Sequence, residues 1–141
     1  MPSATDLVID HVGAQGDGVA FLGARRIYVP GTLAGERIEA HVSGDRGRMT
    51  ALIDASPDRS HPPCPHFGVC GGCALQHMED EAYGRWKTER IVQALARRGF
   101  GQVAIRPLVR TPPESRRRTR LTAVRTRNTV ILGYNRRQSR Q

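Results

Sequence analysis

A chain of 141 residues with 38% hydrophobic and 5% aromatic content has room for one ordinary domain or two small ones, and excludes a large single core. No apolar run approaches the roughly 20 residues of a membrane span and nothing near the N-terminus resembles a signal peptide, so the expectation is a cytoplasmic protein with no membrane partner. The formal charge of +9 is unevenly placed: residues 1–84 carry six Arg against eleven Asp and Glu, a net of −5, whereas residues 85–141 carry fifteen Arg, one Lys and two Glu, a net of +14. A basic half of this kind is the electrostatic footprint of nucleic-acid binding, the plainer alternative being a solvated Arg-rich surface.

Residues 5–57 read as a small all-β unit. Short apolar runs alternate with glycine turns: Leu7–Ile9, Val19–Leu22 after Gly16-Asp17-Gly18, Arg26–Pro30, Arg37–Val42 with period-2 alternation, and Met49–Ala55. Five short strands predict a small OB-like barrel, because closing the sheet removes the exposed edges that a unit this size cannot otherwise protect. Ser56–Pro63 is a proline-bearing linker, extended and irregular.

The linker leads into Cys64-Pro-His-Phe-Gly-Val-Cys70-Gly-Gly-Cys73, which holds all three cysteines of the chain. An odd, clustered set in a reducing compartment points to metal rather than to disulfides, and thiolates are the ligands that zinc and iron–sulfur clusters select. Three donors are one short of four. Either the three thiols bind three irons of a cubane cluster with a fourth ligand from elsewhere, or a histidine completes a Cys3His zinc site, with His77 in C-x5-C-x2-C-x3-H spacing and His66 inside the loop. The spacing alone leaves cluster and zinc open.

A helix is expected from about Glu81 to Arg98, with Asp80 as N-cap, a buried stripe of Ala82, Trp86, Ile91 and Leu95, and Gly99 at the C′ position. Residues 103–110 read as a strand, ended by Thr111-Pro112-Pro113. Arg118–Arg127 and Thr129–Tyr134 read as two strands of a hairpin joined at Asn128. The apolar run Val130-Ile131-Leu132 calls for something to pack on. Arg116, Arg117, Arg118 and Arg120, with Arg136 and Arg137, are the candidate RNA-binding residues, because the guanidinium is a planar donor fork for phosphate and also stacks on bases. On a strand, Arg116, Arg118 and Arg120 would share one face and Arg117 the other. No catalytic constellation is visible: there is no G-x-G-x-x-G loop after a strand, no cysteine is left over as a nucleophile, and the five histidines form no triad with an acid and a serine.

Several of these segments, in order, resemble a known family. Asp17-Gly18-Val19-Ala20, Tyr28–Glu36 and Val42 resemble a TRAM domain, the small RNA-binding β-barrel. Ser56–Arg59 followed by Pro63–His77 resembles the iron–sulfur loop of the TRAM-containing RNA uracil-5-methyltransferases. Trp86-Lys87 with Arg90-Ile91-Val92 is similar to the helix that follows it there, and Ser115–Arg118, Leu132-Gly133-Tyr134 and Arg136-Arg137-Gln138-Ser139 resemble the start of its central domain.

The resemblance implies methyl transfer from S-adenosylmethionine to carbon 5 of a uridine in rRNA, ahead of tRNA, with Cys64, Cys70 and Cys73 on a [4Fe–4S] cluster that organises RNA binding. It further implies that the fourth cluster cysteine follows shortly after the Arg136–Ser139 segment. The S-adenosylmethionine site, the nucleophilic cysteine and the general base would belong to a C-terminal methyltransferase domain that these residues do not include. The 141 residues would then be the N-terminal part of a longer enzyme and inactive alone. The expected organisation is a TRAM-like barrel over 1–57, a linker and iron–sulfur loop over 58–78, and a helix with an incomplete, basic α+β central domain over 79–141. The fold class is thus mainly β with one helix. No protein partner is indicated. The competing reading is a non-catalytic RNA-binding module with a Cys3His zinc site.

Overall fold

The computed structural model describes residues 4–112 and 114–137. Its elements are β1 (Thr5–Val12), β2 (Gly18–Leu22), β3 (Arg25–Val29), β4 (Arg37–Ser43), β5 (Arg46–Asp54), α1 (Asp80–Ala96), β6 (Thr122–Arg125) and β7 (Val130–Gly133). The first five close into a barrel in the order β1-β2-β3-β5-β4, with β4 pairing back onto β1. Every pairing is antiparallel except β3 with β5. A five-stranded closed sheet with this order is OB-like.

Period-2 alternation builds the core. Leu7 and Ile9 of β1, Ile27 and Val29 of β3, and Ile38 and Ala40 of β4 point inward with Ala20, and Val42 and Met49 pack against them. β5 begins earlier than its sequence suggests. The stretch Arg46-Gly47-Arg48 does not look strand-like, yet Gly47 is buried, and a Cβ there would lie 2.8 Å from Val29 Cγ2. The strand passes closest to the core where it lacks a side chain.

The chain divides into two compact units: residues 1–65 with 74–83, and residues 66–73 with 84–141. In the first, the segment beyond the barrel is tied down at both ends of the cysteine stretch. Ser60 N–H donates to the His77 carbonyl at 2.9 Å, Glu79 N–H donates to the Asp58 carbonyl at 2.8 Å, and Arg59 forms an antiparallel bridge with Met78.

In the second unit α1 ends in a Schellman motif, as the glycine predicted. Gly99 has φ +84°, its N–H donates to the Ala96 carbonyl at 3.0 Å, and Phe100 N–H donates to the Leu95 carbonyl at 3.0 Å. The expected stripe is only partly realised: Ala82 is buried and Trp86 and Leu95 are half-buried, but Ile91 is 49% exposed. Residues 103–110 are not a strand. They are irregular and have no ladder partner among the described residues, and a chain segment becomes a strand only when another edge pairs with it.

The hairpin is also shorter than expected. β6 covers Thr122–Arg125 rather than 118–127, and a four-residue loop, Thr126–Thr129, replaces a turn at Asn128. Thr126 closes that loop with its N–H and hydroxyl, both donating to the Thr129 carbonyl. The expected break at Pro113 and the family-like Gln138 and Ser139 lie outside the described residues. No helix among the described residues is long and apolar enough to cross a membrane.

Candidate RNA-binding and metal-ligating residues

The cysteine stretch is a series of turns. Within the second unit, the His66 carbonyl accepts from Val69 N–H and Cys70 N–H at 3.2 and 2.9 Å. Cys70 bridges antiparallel to Arg136. Gly71 N–H donates to the Asn135 carbonyl and Arg137 N–H to the Val69 carbonyl, both at 2.9 Å. The backbone just past β7 therefore runs alongside the Cys70–Gly71 segment. Gly71 owes its smallness to that approach: a Cβ would sit 3.0 Å from the Asn135 carbonyl oxygen. Gly72 N–H points at Cys70 Sγ, 3.4 Å away, the kind of weak backbone donor that a thiolate ligand accepts.

None of the three cysteines is in a disulfide. Cys64 and Cys70 are half-buried and Cys73 is exposed. By chemistry the donor set fits a thiolate-bound metal. By placement, no group of three His, Cys, Asp or Glu side chains among the described residues stands ready to hold an ion. His77, the alternative fourth donor, is 1% exposed.

Arg116, Arg117, Arg118 and Arg120 fall in irregular, fully exposed chain. This corrects the strand expected there, so the two-face alternation does not apply. The Thr119 hydroxyl bonds the Tyr134 hydroxyl, which ties this segment to the residue after β7. Arg136 is exposed and Arg137 half-buried. On α1, the Trp86 ring has the Lys87 ammonium at 6.0 Å and the Arg90 guanidinium at 5.8 Å.

Sequence reasoning missed a buried charge network in the first unit. Glu36 has no exposed surface. Its Oε2 accepts from Leu33 N–H at 2.8 Å and from Arg59 Nη2 at 2.8 Å. Its Oε1 accepts from Arg59 Nε and from Ser56 N–H. Arg59 also donates to the Gly31 carbonyl at 2.8 Å. One carboxylate thus holds the β3–β4 turn to the chain leaving β5. Burial alone would push the Glu36 carboxyl up, but the Arg59 hydrogen bonds and charge and the two backbone N–H groups hold it below the ordinary glutamate value.

The barrel carries a second feature. The β1–β2 loop, Tyr28 of β3 and Arg46 of β5 enclose a depression of about 400 Å³. Arg46 lies 5.4 Å from the Tyr28 ring centroid and donates to Asp17 Oδ2 at 2.9 Å. The signal was present in the sequence as an aromatic and Arg residues at outward positions of two strands, but only the β3–β5 pairing makes them neighbours.

Over 135 residues the chain is 47% identical to an RNA methyltransferase of Brucella suis, a match covering 96% of this chain and 32% of the relative. The chain is a homologue of RNA methyltransferases. A second such relative, from Rhizobium meliloti, is 41% identical over 143 residues, covering 97% of this chain and 34% of its own length. A Pseudomonas entomophila relative named a 23S rRNA (uracil(1939)-C(5))-methyltransferase is 38% identical over 96 residues, 64% of this chain and 21% of that protein. The chain spans about a third of the length of the first two RNA methyltransferases. A match over 96% of the chain leaves only a few residues outside it, so Cys64–Cys73 and the Arg116–Arg120 tract fall inside the homologous stretch. No family model matches the chain.

Proposed function

We propose that this chain is the RNA-binding and [4Fe–4S]-binding portion of an S-adenosylmethionine-dependent RNA uracil-5-methyltransferase acting on rRNA. The observation that carries the proposal is the 47% identity to an RNA methyltransferase across nearly the whole chain, beside a C-x5-C-x2-C loop. The uracil-C5 specificity draws on the Pseudomonas relative's printed activity.

In this reading Cys64, Cys70 and Cys73 hold the cluster, with a fourth ligand from the chain beyond Arg137, because the backbone at Asn135–Arg137 already runs beside Cys70. When bound, the cluster supplies a soft-ligand crosslink that fixes the loop, since metal binding is coupled to local folding. Arg116, Arg117, Arg118 and Arg120, with Arg136 and Arg137, supply the phosphate contacts. In this reading the methyl donor site and the uracil-activating groups are not among these residues, which span about a third of the length of the RNA methyltransferases they match.

Anaerobic purification with iron and acid-labile sulfide analysis tests the cluster. About four of each per chain and a brown colour are expected. A colourless protein with about one zinc and no sulfide would establish the Cys3His alternative instead. Incubation of the gene product that carries this chain with unmodified rRNA and methyl-labelled S-adenosylmethionine tests the activity. Label in 5-methyluridine is expected, and label in any other nucleoside overturns it.

A further inference from the structure

Tyr134 stands where three parts of the second unit meet. It follows β7 directly, and the residues after it run along the cysteine stretch. Gly71 N–H donates to the Asn135 carbonyl, Cys70 bridges to Arg136, and Arg137 N–H donates to the Val69 carbonyl. The path of the chain beyond Tyr134 is therefore set by the turns that carry Cys70.

The ring of Tyr134 lies beside the same turns. A Cβ at Gly72 would stand 3.4 Å from Cys70 Sγ and 4.0 Å from Tyr134 Cδ1, so the sulfur and the ring flank one glycine. The side chain is still 46% exposed, so its contacts rather than deep burial set its direction.

The Tyr134 hydroxyl reaches the other way, to the hydroxyl of Thr119. Thr119 lies between Arg118 and Arg120, in irregular chain whose residues 116–120 are all exposed. Among the described residues, this is the one hydrogen bond that residues 116–120 make. An exposed segment with four guanidinium groups loses side-chain and backbone entropy when a ligand orders it. A tether inside the segment reduces that loss, because the chain is already held at one point.

We infer that Tyr134 is a positioning residue that latches the Arg116–Arg120 tract to the cysteine loop, with its hydroxyl on Thr119 and its ring beside Gly72. The affinity of the tract for RNA then depends on order in that loop. Arg118 and Arg120 flank the tethered residue, so holding Thr119 holds the roots of both side chains. The inference rests on the RNA reading above and adds to it a residue outside both the arginine tract and the cysteine set.

The test is fluorescence anisotropy on the whole chain, purified anaerobically, with a labelled single-stranded oligouridylate over a range of salt. Tyr134→Phe keeps the ring and removes the hydroxyl. It is expected to weaken binding by about 2- to 10-fold, the worth of one net hydrogen bond. The log–log salt slope is expected to stay unchanged, since no cation is lost. Thr119→Val is expected to weaken binding equally and Thr119→Ser to retain it. Both sit in irregular, exposed chain and leave the strands and helix untouched. The double variant Tyr134→Phe/Thr119→Val is expected to bind no more weakly than either single variant, the signature of one shared interaction. In a Cys70→Ser background Tyr134→Phe is expected to weaken binding less than it does alone, because the turns beside the ring are loosened. The metal content of Tyr134→Phe is expected to equal that of the unaltered chain, which separates a latch from a ligand. Undiminished binding by Tyr134→Phe, a lowered salt slope, a loss with Thr119→Ser, additive losses in the double variant, a full effect in the Cys70→Ser background or a fall in metal content overturns the latch while the RNA reading stands. No RNA binding by the unaltered chain at low salt overturns both.

Discussion

Glu36 is a fully buried carboxylate that ties together distant parts of the first unit. Its carboxylate meets Arg59 and two backbone N–H groups with no water-exposed surface of its own. Removing one partner of a buried pair leaves the other charge uncompensated, at a cost of about 3–5 kcal/mol. Glu36→Ala is therefore expected to lower the urea midpoint of the barrel sharply, and a Glu36→Ala/Arg59→Met double variant to recover part of the loss.

The sign of the pH dependence follows from the depressed carboxyl. A group whose folded value lies below its unfolded value stabilises fully above the unfolded value, about 4.3 for Glu, and that stability is lost as pH falls through the folded value. Urea midpoints measured from neutral pH down through the acid range should fall below about pH 4.3, and fall less steeply in Glu36→Gln. Asp6, held low by its hydrogen bonds to Arg37, titrates in the same direction, but it is exposed and its pair is screened. Steric demands act at the same scale. A methyl at Gly18 would collide with Thr32 Oγ1 and lie 2.9 Å from Ile9 Cγ2, both on fully buried side chains. Gly18→Ala should cost about 1–3 kcal/mol in a thermal or urea melt, the usual penalty of overpacking a rigid core.

Elements differ in how they are supported. The five barrel strands have no free edge in their order, and they close over a shared core. Among the described residues β6 and β7 pair only with each other. Val130, Ile131 and Leu132 are 57, 58 and 65% exposed, so the hairpin buries neither face. An isolated two-stranded hairpin is marginal in water. Amide hydrogen exchange on this chain should therefore show β6 and β7 exchanging orders of magnitude faster than β1–β5. Equal protection would mean that something covers the hairpin in solution. Sequence patterning located both sets of strands, because alternation and turn residues are local properties. It overestimated β6, and it placed a strand at 103–110 that finds no partner, because pairing is not local.

Across the whole molecule the uneven charge is the property with the largest expected consequence. Residues 85–141 carry a net of +14, and Arg116, Arg117 and Arg118 are all exposed on irregular chain. Replacing these three with Ala should lower the log–log salt slope of single-stranded RNA binding by up to about 2, since each neutralised phosphate contributes about 0.7. An unchanged slope would return the tract to a solvated surface. Cys70→Ser should lose bound metal and leave the 66–73 turns less protected, with barrel protection unaltered, since the Glu36 network and the core do not involve that loop.

The sequence by itself determined the number and order of the barrel strands, the helix with its glycine stop, the clustering of the three cysteines and the basic second half, because periodicity, capping and composition are written in neighbouring residues. Kinship to RNA methyltransferases was legible for the same reason, being carried by ordered local motifs. Tertiary structure alone decided that Glu36 and Arg59, 23 positions apart, neutralise each other inside the first unit. It alone set Tyr28, Arg46 and Asp17 around one depression, and laid Asn135–Arg137 against Cys70 and Gly71. Each of these is a pairing between residues distant in the chain, fixed by which strands and turns the fold brings side by side.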